Sequence, residues 1–208
     1  MKLYVIRHGE TEMNSRGVLQ GWIDGRLNQN GRSLAVTTGR AMKGIRFDKC
    51  ISSPLIRAKE TVEIVLRESG NDIPVQLDDR IREISFGRME NKKLPELGEN
   101  GLMFLKDPFR AERFPGGECV QDVCKRTQEF LKELVEKDDG LTYLIGVHGC
   151  AVRAMLNYLY EDPSDFWQGH VPYNCAVNIL EAEGGVIRFV ERDKLYYDPG
   201  LAVDHYKQ

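Results

Sequence analysis

Short apolar runs alternate with segments of helical periodicity along this chain. LYVI at residues 3–6 and LTYLIGV at residues 141–147 are nearly continuous apolar runs, and a third strand candidate lies within FDKCISS at residues 47–53. Runs of this length are typical of strands that are covered on both faces in a parallel sheet. The pattern therefore predicts three strands of one buried sheet.

Two segments repeat apolar residues at the spacing of an amphipathic helix. One is LIRAKETVEIVLRES at residues 55–69, where we expect Ser53 and Pro54 to supply the cap and the first turn. The other is residues 118–137, whose opposite face is charged. Its apolar face consists of Val120, Val123, Cys124, Thr127, Phe130, Leu131, Leu134 and Val135.

The last third of the chain contains a hairpin signal. CAVNILEAEGGVIRFVERD at residues 175–193 predicts two strands around Glu183-Gly184-Gly185, at an edge of the sheet. Together with the alternating strands and helices, this predicts a three-layer α/β/α sandwich with a mostly parallel central sheet. Residues 86–117 are rich in Gly, Pro and charge, which predicts a small lid insertion within a single domain spanning residues 1–208.

Charge and composition limit the classes of binding partner. The 208 residues carry 29 basic and 32 acidic side chains, for a net charge of −3, so no global positive field recruits nucleic acid or an anionic membrane. No stretch approaches the roughly 20 apolar residues of a membrane span, and MKLYVI is too short for a signal peptide. We therefore expect a cytoplasmic protein that binds neither nucleic acid nor membranes.

The cysteine pattern and the absence of common catalytic and nucleotide-binding motifs argue against several classes of protein. The five cysteines are odd in number and form no C-x-x-C pair, so we expect reduced, mostly buried thiols rather than disulfides or a zinc site. The chain also lacks H-E-x-x-H, a P-loop and G-x-G-x-x-G. It therefore offers little support for a metalloprotease, a nucleotide hydrolase or a dinucleotide enzyme.

Polar residues follow each predicted strand. Arg7 and His8 follow the first, Ser52-Ser53 end another, with Arg57 in the next helix, and His148 follows the run at 141–147. Ligands of open parallel sheets bind beyond the carboxyl ends of the strands, so these side chains should converge. Guanidinium groups and helix N-termini both bind phosphate. The sequence therefore predicts a site for a phosphoryl group.

Six segments carry a resemblance to a known family. They are RHGET (7–11) with Asn14, QGWIDGRLNQNG (20–31), SSPLIRAKET (52–61), REISFGRMEN (82–91), PGGE (115–118) and VHG (147–149). In this order they resemble the histidine phosphatase superfamily, which also contains the cofactor-dependent phosphoglycerate mutases. The resemblance implies the phosphoglycerate mutase-like fold and a reaction that uses no metal and no cofactor.

The resemblance also implies roles for individual residues. His8 is expected to accept the phosphoryl group, since flanking Arg7 and Arg57 disfavour its protonated form and keep the imidazole nucleophilic. Glu83 is expected to protonate the leaving group and later to activate water. His148 is expected to stabilise the transferred group with the two arginines. The complete predicted phosphate-binding set is Arg7, Asn14, Gln20, Gly21, Arg57, His148 and Gly149.

Alternatives remain open for the acid. Asp78, Asp79 and Glu90 lie near Glu83 in the sequence, and the segment around them could be a solvated cluster paired with Arg80, Arg82 or Arg88. His148 could likewise be a structural histidine in a tight turn.

The expected activity is hydrolysis of a small phosphorylated metabolite by a phosphomonoesterase. Mutases of the family resemble each other in an arginine-histidine-tyrosine-glycine segment after the acid, where this chain has Ile84-Ser85-Phe86-Gly87. Two alternatives remain: a phosphoglycerate mutase-type transfer and a non-catalytic phosphate-binding module. By resemblance the substrate candidates are sugar phosphates, α-ribazole phosphate or phosphoglycerates, and a homodimer is compatible with the family.

Overall fold

A six-stranded sheet forms the centre of the protein. The structure is a computed structural model that describes residues 1–205. Its strands are β1 (Lys2–Arg7), β2 (Lys49–Ser52), β3 (Val75–Leu77), β4 (Thr142–Val147), β5 (Val177–Glu183) and β6 (Val186–Lys194). Their order across the sheet is β3-β2-β4-β1-β5-β6.

The centre of the sheet is parallel and one edge is antiparallel. β1 pairs in parallel with β4, and β2 pairs in parallel with both β4 and β3. β5 runs antiparallel to β1 and to β6. The turn between β5 and β6 is Gly184-Gly185, and both glycines have left-handed backbone conformations. The predicted mostly parallel sheet and its edge hairpin are therefore confirmed. Because β2, β4 and β1 are neighbours, their carboxyl ends lie side by side.

Helices cover both faces of the sheet. They are α1 (Glu12–Ser15), α2 (Gln29–Ala41), α3 (Ile56–Ser69), α4 (Gly98–Lys106), α5 (Val120–Glu136) and α6 (Gly149–Leu156).

The side chains of β1 show how the layers form. Leu3 and Val5 belong to a buried cluster with residues of α5 and α6, whereas Tyr4 and Ile6 belong to a second cluster with residues of α2 and α3. Successive strand residues point to opposite faces, so an apolar run fills both interfaces at once. The three-layer α/β/α prediction is confirmed.

The predicted start of α3 is wrong. Its N-cap is Leu55 rather than Ser53, and it makes no side-chain cap hydrogen bond. Asp24, which lies far away in the sequence, instead accepts a hydrogen bond of 2.7 Å from the backbone N–H of Ile56. A carboxylate from another segment thus satisfies one of the unpaired N–H groups at the helix N-terminus. Ser53 is thus not the N-cap of α3, and its Oγ instead lies 2.8 Å from Nε2 of His148.

Residues 86–117 contain α4, two short 3₁₀ turns and a small aromatic core. Phe86, Phe104 and Phe114 are buried and meet edge to face, with ring centroids 4.9–5.5 Å apart. Trp167 also packs against Phe104 with its centroid at 5.5 Å. The segment is therefore not simply an exposed insertion, since these rings anchor it. Its action as a lid stays a prediction.

All five cysteines are free thiols in the structure. Cys50, Cys150 and Cys175 are buried, and burial raises the pKa of the Cys50 and Cys175 thiols to about 12. They behave as small core residues rather than as reactive thiols.

Candidate active site

One cavity lies at the carboxyl ends of the central strands. Its volume is about 40 Å³. One water molecule needs roughly 10–15 Å³ on the same measure. The cavity therefore has room for a small polyatomic group. The predicted site residues that line it are Arg7, His8, Asn14, Gln20, Gly21, Arg57, Glu83 and Gly149.

His8 is buried directly after β1, with 3% of its surface exposed. Its Nδ1 lies 2.7 Å from the carbonyl oxygen of Gly9. A carbonyl can only accept, so Nδ1 carries the hydrogen and the lone pair of the neutral ring is on Nε2. Burial, and then the charges of Arg57 and Arg7, hold the pKa of His8 well below its ordinary value. The imidazole is thus kept neutral, mainly by desolvation, which the sequence analysis did not anticipate.

Backbone contacts fix the loop that carries His8. The N–H of Gly9 donates to Oγ1 of Thr61 at 2.9 Å, and the side chain of Asn174 donates to the carbonyl of His8 at 3.0 Å. α2 approaches so closely that a Cβ atom on Gly9 would lie 2.6 Å from the carbonyl oxygen of Gly31. Glycine is therefore required here by space.

Arg7 is buried, with 4% of its surface exposed. Its Nη1 donates to the carbonyl of Pro172, it makes no ion pair within residues 1–205, and its Nε has no hydrogen-bond partner there. A Cβ atom on Gly149, the first residue of α6, would lie 3.4 Å from that Nε. Guanidinium and helix N-terminus are both positive, so their juxtaposition suits an anion.

Arg57 lies in the first turn of α3, as expected, and is 1% exposed. Its Nη1 donates to the carbonyl of Ile23 at 3.0 Å and its Nη2 donates to the carbonyl of Gly21 at 2.7 Å. These bonds tie the 20–31 segment to the strand ends. They explain why Gln20 and Gly21 reach the same cavity as His8.

Asn14 lies on α1, whose first turn it helps to cap. Its Oδ1 is 3.2 Å from the backbone N–H and 3.1 Å from the hydroxyl of Thr11, both of which can donate to it. This fixed carboxamide forms part of the cavity wall. Its proposed contact with phosphate stays a prediction.

His148 lies behind the cavity wall. It is fully buried and is not among the lining residues, and its ring centroid is 5.2 Å from that of His8. Its Nε2 lies 2.8 Å from Oγ of Ser53, whereas its Nδ1 has no hydrogen-bond partner within residues 1–205. Burial, and then the charge of Arg57, keep its pKa well below the ordinary value. Its direct contact with a phosphoryl group stays a prediction.

Among the Asp and Glu side chains of residues 1–205, Glu83 is the one that lines the cavity. Its oxygens accept from the N–H groups of Cys150 at 3.3 Å and Ala151 at 3.1 Å, at the start of α6. None of the three alternative acids lines the cavity.

The alternative acids have other partners. Asp78 pairs with Arg80 at 2.7 Å, and Asp79 pairs with Arg82 at 2.8 Å. Glu90 accepts from the backbone N–H of Trp22 at 2.9 Å. The geometry thus favours Glu83 among the four candidates.

The remaining wall of the cavity is apolar. The sequence analysis missed most of this wall, although aromatic residues within an otherwise charged segment were a usable signal. Trp167 belongs to it, whereas its neighbour His170 does not. The wall consists of Leu19, Phe86, Phe104, Leu105, Cys150, Trp167 and Val171.

Neither a metal cluster nor a membrane helix is evident in the described part of the chain. Residues 1–205 contain no group of three or more His, Cys, Asp or Glu side chains that could hold a metal ion. In the same range no helix is long and apolar enough to cross a membrane.

Comparison with known proteins gives consistent matches. The model of the histidine phosphatase superfamily (branch 1) matches residues 3–193. The 2,3-bisphosphoglycerate-dependent phosphoglycerate mutase of Cytophaga hutchinsonii is 32% identical over 169 residues, covering 78% of this chain and 79% of that protein.

Solved structures match over nearly the whole chain. Bacillus stearothermophilus YhfR is 30% identical with a TM-score of 0.85, covering 99% of both chains. A mutant phosphoserine phosphatase from Entamoeba histolytica, solved with phosphoserine, is 27% identical with a TM-score of 0.77, covering 93% of this chain and 97% of that one. The named activities of these relatives thus include both transfer and hydrolysis.

The buried histidines predict a pH dependence of stability. His8 and His148 resist protonation in the folded protein, whereas in the unfolded chain they protonate near pH 6.5. Acidification below about pH 6.5 should therefore lower the free energy of unfolding, by at most about 1.4 kcal/mol per pH unit for each histidine. Urea unfolding between about pH 7.5 and about pH 5 measures this slope. His8→Asn should reduce it, and an unchanged slope would contradict the neutral state of His8.

Proposed function

The chain belongs to the histidine phosphatase superfamily. We propose that it is a phosphomonoesterase, which transfers a phosphoryl group first to His8 and then to water. One observation carries the proposal: a neutral, buried imidazole with its hydrogen on Nδ1 lies beside the guanidinium groups of Arg7 and Arg57. This arrangement combines a nucleophile with the positive charge that a phosphoryl group requires.

The first step forms a phosphohistidine. Nε2 of His8 attacks phosphorus as the bond from phosphorus to the ester oxygen breaks, and protonated Glu83 gives its proton to the departing oxygen. Arg7 and Arg57 stabilise the negative charge of the group in transfer. Proton donation by a positioned acid contributes roughly 10²–10⁴-fold to such a reaction.

The second step hydrolyses the phosphohistidine. A water molecule gives a proton to the Glu83 carboxylate and attacks phosphorus, the bond to Nε2 breaks, and inorganic phosphate leaves. His8 and Glu83 return to their starting protonation states. Every proton and bond is therefore accounted for by the chain and water, so the proposed reaction needs neither a metal nor an organic cofactor.

The apolar wall supports a particular class of substrate. Among the lining residues within residues 1–205, Arg7 and Arg57 are the cationic side chains, and the phosphoryl group engages both. A second anionic group on the substrate would face Phe86, Leu105 or Trp167, where an unpaired charge is unfavourable. We therefore propose a small phosphate ester whose remaining part carries no second charge.

The mutase alternative rests on similarity to relatives such as the phosphoglycerate mutase of Cytophaga hutchinsonii. A phosphoglycerate carries a carboxylate besides its phosphate, and among residues 1–205 the cavity lining offers that carboxylate no further cationic side chain. A non-catalytic phosphate-binding module is also less well supported, because binding alone does not require a nucleophile and an acid together. Cytoplasmic location and homodimer formation stay predictions.

Phosphate release tests the proposal directly. With a chelator present, we expect the wild type to release inorganic phosphate from aryl and uncharged alkyl phosphates, at a higher kcat/KM than from 3-phosphoglycerate. His8→Ala should lower release by at least about 10³-fold, the scale expected when a nucleophile is removed. Circular dichroism of the variant confirms that it is folded. Interconversion of phosphoglycerates faster than phosphate release would instead establish a mutase.

The acid has a separate test. Glu83→Gln keeps the size of the side chain but removes the proton that the leaving group needs. We expect a loss of about 10²–10⁴-fold on alkyl phosphates and a much smaller loss on aryl phosphates with good leaving groups. The kcat of each variant across a series of leaving groups measures this difference. Equal losses on both kinds of ester would show that Glu83 is not the proton donor.

A further inference from the structure

Glu118 and Arg126 form a largely buried ion pair close to the active site. Nε of Arg126 lies 2.8 Å from Oε1 of Glu118, and Nη2 lies 2.8 Å from Oε2, so the contact is bidentate. The two side chains are 16% and 17% exposed. Neither residue lines the cavity, and the proposed reaction does not use them.

Arg126 binds the backbone that leads into Glu83. Its Nη1 donates to the carbonyl oxygens of Arg80 at 2.8 Å and Arg82 at 2.6 Å. Its Nη2 donates to the carbonyl oxygen of Glu83 itself at 2.9 Å. One guanidinium group thus holds three carbonyl groups of the segment that ends at the proposed acid.

Glu118 holds the same segment on the other side of Glu83. Its Oε2 accepts from the backbone N–H of Ser85 at 2.9 Å. Its own backbone N–H donates to the carbonyl of Ser85, also at 2.9 Å. The ion pair and the backbone of residue 118 therefore clamp the chain before and after the carboxylate that reaches the cavity.

The segment needs such support because it lacks regular structure. Residues 82–86 lie in neither a helix nor a strand. Besides Arg126, the indole N–H of Trp22 donates to the Glu83 carbonyl at 2.7 Å, but Trp22 is 42% exposed. In contrast, Arg126 lies on the long helix α5, which packs against the sheet. α5 is therefore a rigid reference for the backbone at Glu83, while the carboxylate itself contacts the start of α6.

We propose that the Glu118–Arg126 pair is a positioning unit for Glu83, which keeps its carboxyl group where it can protonate the leaving oxygen. The inference rests on the proposed function, since it assumes that Glu83 is the acid. A buried ion pair is weak evidence for stability, because desolvation offsets much of the attraction between its charges. Five hydrogen bonds instead point to a geometric role: Arg126 donates three to carbonyl groups of residues 80–83, Glu118 accepts one from the N–H of Ser85, and the Glu118 N–H donates one to the Ser85 carbonyl.

The expected signature is a dependence on the leaving group. Arg126→Met should lower kcat for alkyl phosphates by about 10–100-fold, the scale of a misplacement of about 1 Å, because these esters need the proton. Aryl phosphates with good leaving groups should lose less than about threefold. A purely structural role would lower both activities equally.

Two more conservative variants protect the test against misfolding. Arg126→Lys keeps the charge but loses the planar fork that binds the carboxylate and carbonyls together. Glu118→Gln is isosteric and removes the negative partner. Both should show the same selectivity for leaving groups in a milder form. The matched control is Arg113→Met, which removes a more exposed ion pair with Asp122 at the start of α5 and should leave the alkyl-to-aryl ratio unchanged.

A double variant separates positioning from other effects. In a Glu83→Gln background no acid remains to be positioned, so adding Arg126→Met should cause little further loss of activity on alkyl phosphates. If the two substitutions acted independently, their losses would instead multiply. If Glu83→Gln is selective for alkyl esters but Arg126→Met, Arg126→Lys and Glu118→Gln are not, the positioning role is wrong while the proposed function stands. If Glu83→Gln is itself not selective, the acid assignment fails and the inference fails with it.

Discussion

Burying the guanidinium groups of Arg7 and Arg57 beside an imidazole is the electrostatic constraint on which this site depends. Removing charges from water costs several kcal/mol per ion unless partners replace the solvent. Backbone carbonyls of Pro172, Gly21 and Ile23 accept hydrogen bonds from the two arginines. A carbonyl has no net charge, so these hydrogen bonds orient the guanidinium groups and themselves place no negative charge beside them. Burial, and then these two charges, keep His8 neutral, and a doubly charged phosphoryl group is the natural complement of the arginines.

The fold meets this constraint by bringing distant segments together at the ends of neighbouring strands. β1 ends at Arg7 and β4 ends just before His148, and the two strands are adjacent in the sheet. α6 then begins at Gly149, and the guanidinium group of Arg7 lies beside this helix N-terminus. The aromatic core of residues 86–114 covers the site with apolar surface. Low polarity there strengthens each electrostatic contact with a bound phosphoryl group.

The sequence predicted those features of the fold that depend on residues close together in the chain. The buried strands, the hairpin, and the positions of Arg7 at the end of β1 and His8 directly after it follow from apolar runs and from the residues at their ends. The start of α3 could not be predicted in this way, because its N–H group is satisfied by Asp24 from a remote segment. The full burial of His148, the aromatic wall and the Glu118–Arg126 pair are also products of long-range packing. For the same reason, the sequence indicated the arginine charges near His8 but not the larger effect of burial on its pKa.

The central claim is that Nε2 of His8 carries the phosphoryl group between substrate and water. The most direct test is to quench the wild type rapidly during turnover of a labelled phosphate ester, at a pH that preserves phosphohistidine. Peptide mass spectrometry then locates the labelled phosphoryl group, and NMR identifies the nitrogen that carries it. We predict one labelled site, at Nε2 of His8, formed and lost at rates that support turnover. Turnover without a labelled protein, or a label that forms at turnover rates on another residue such as His148, would contradict the account.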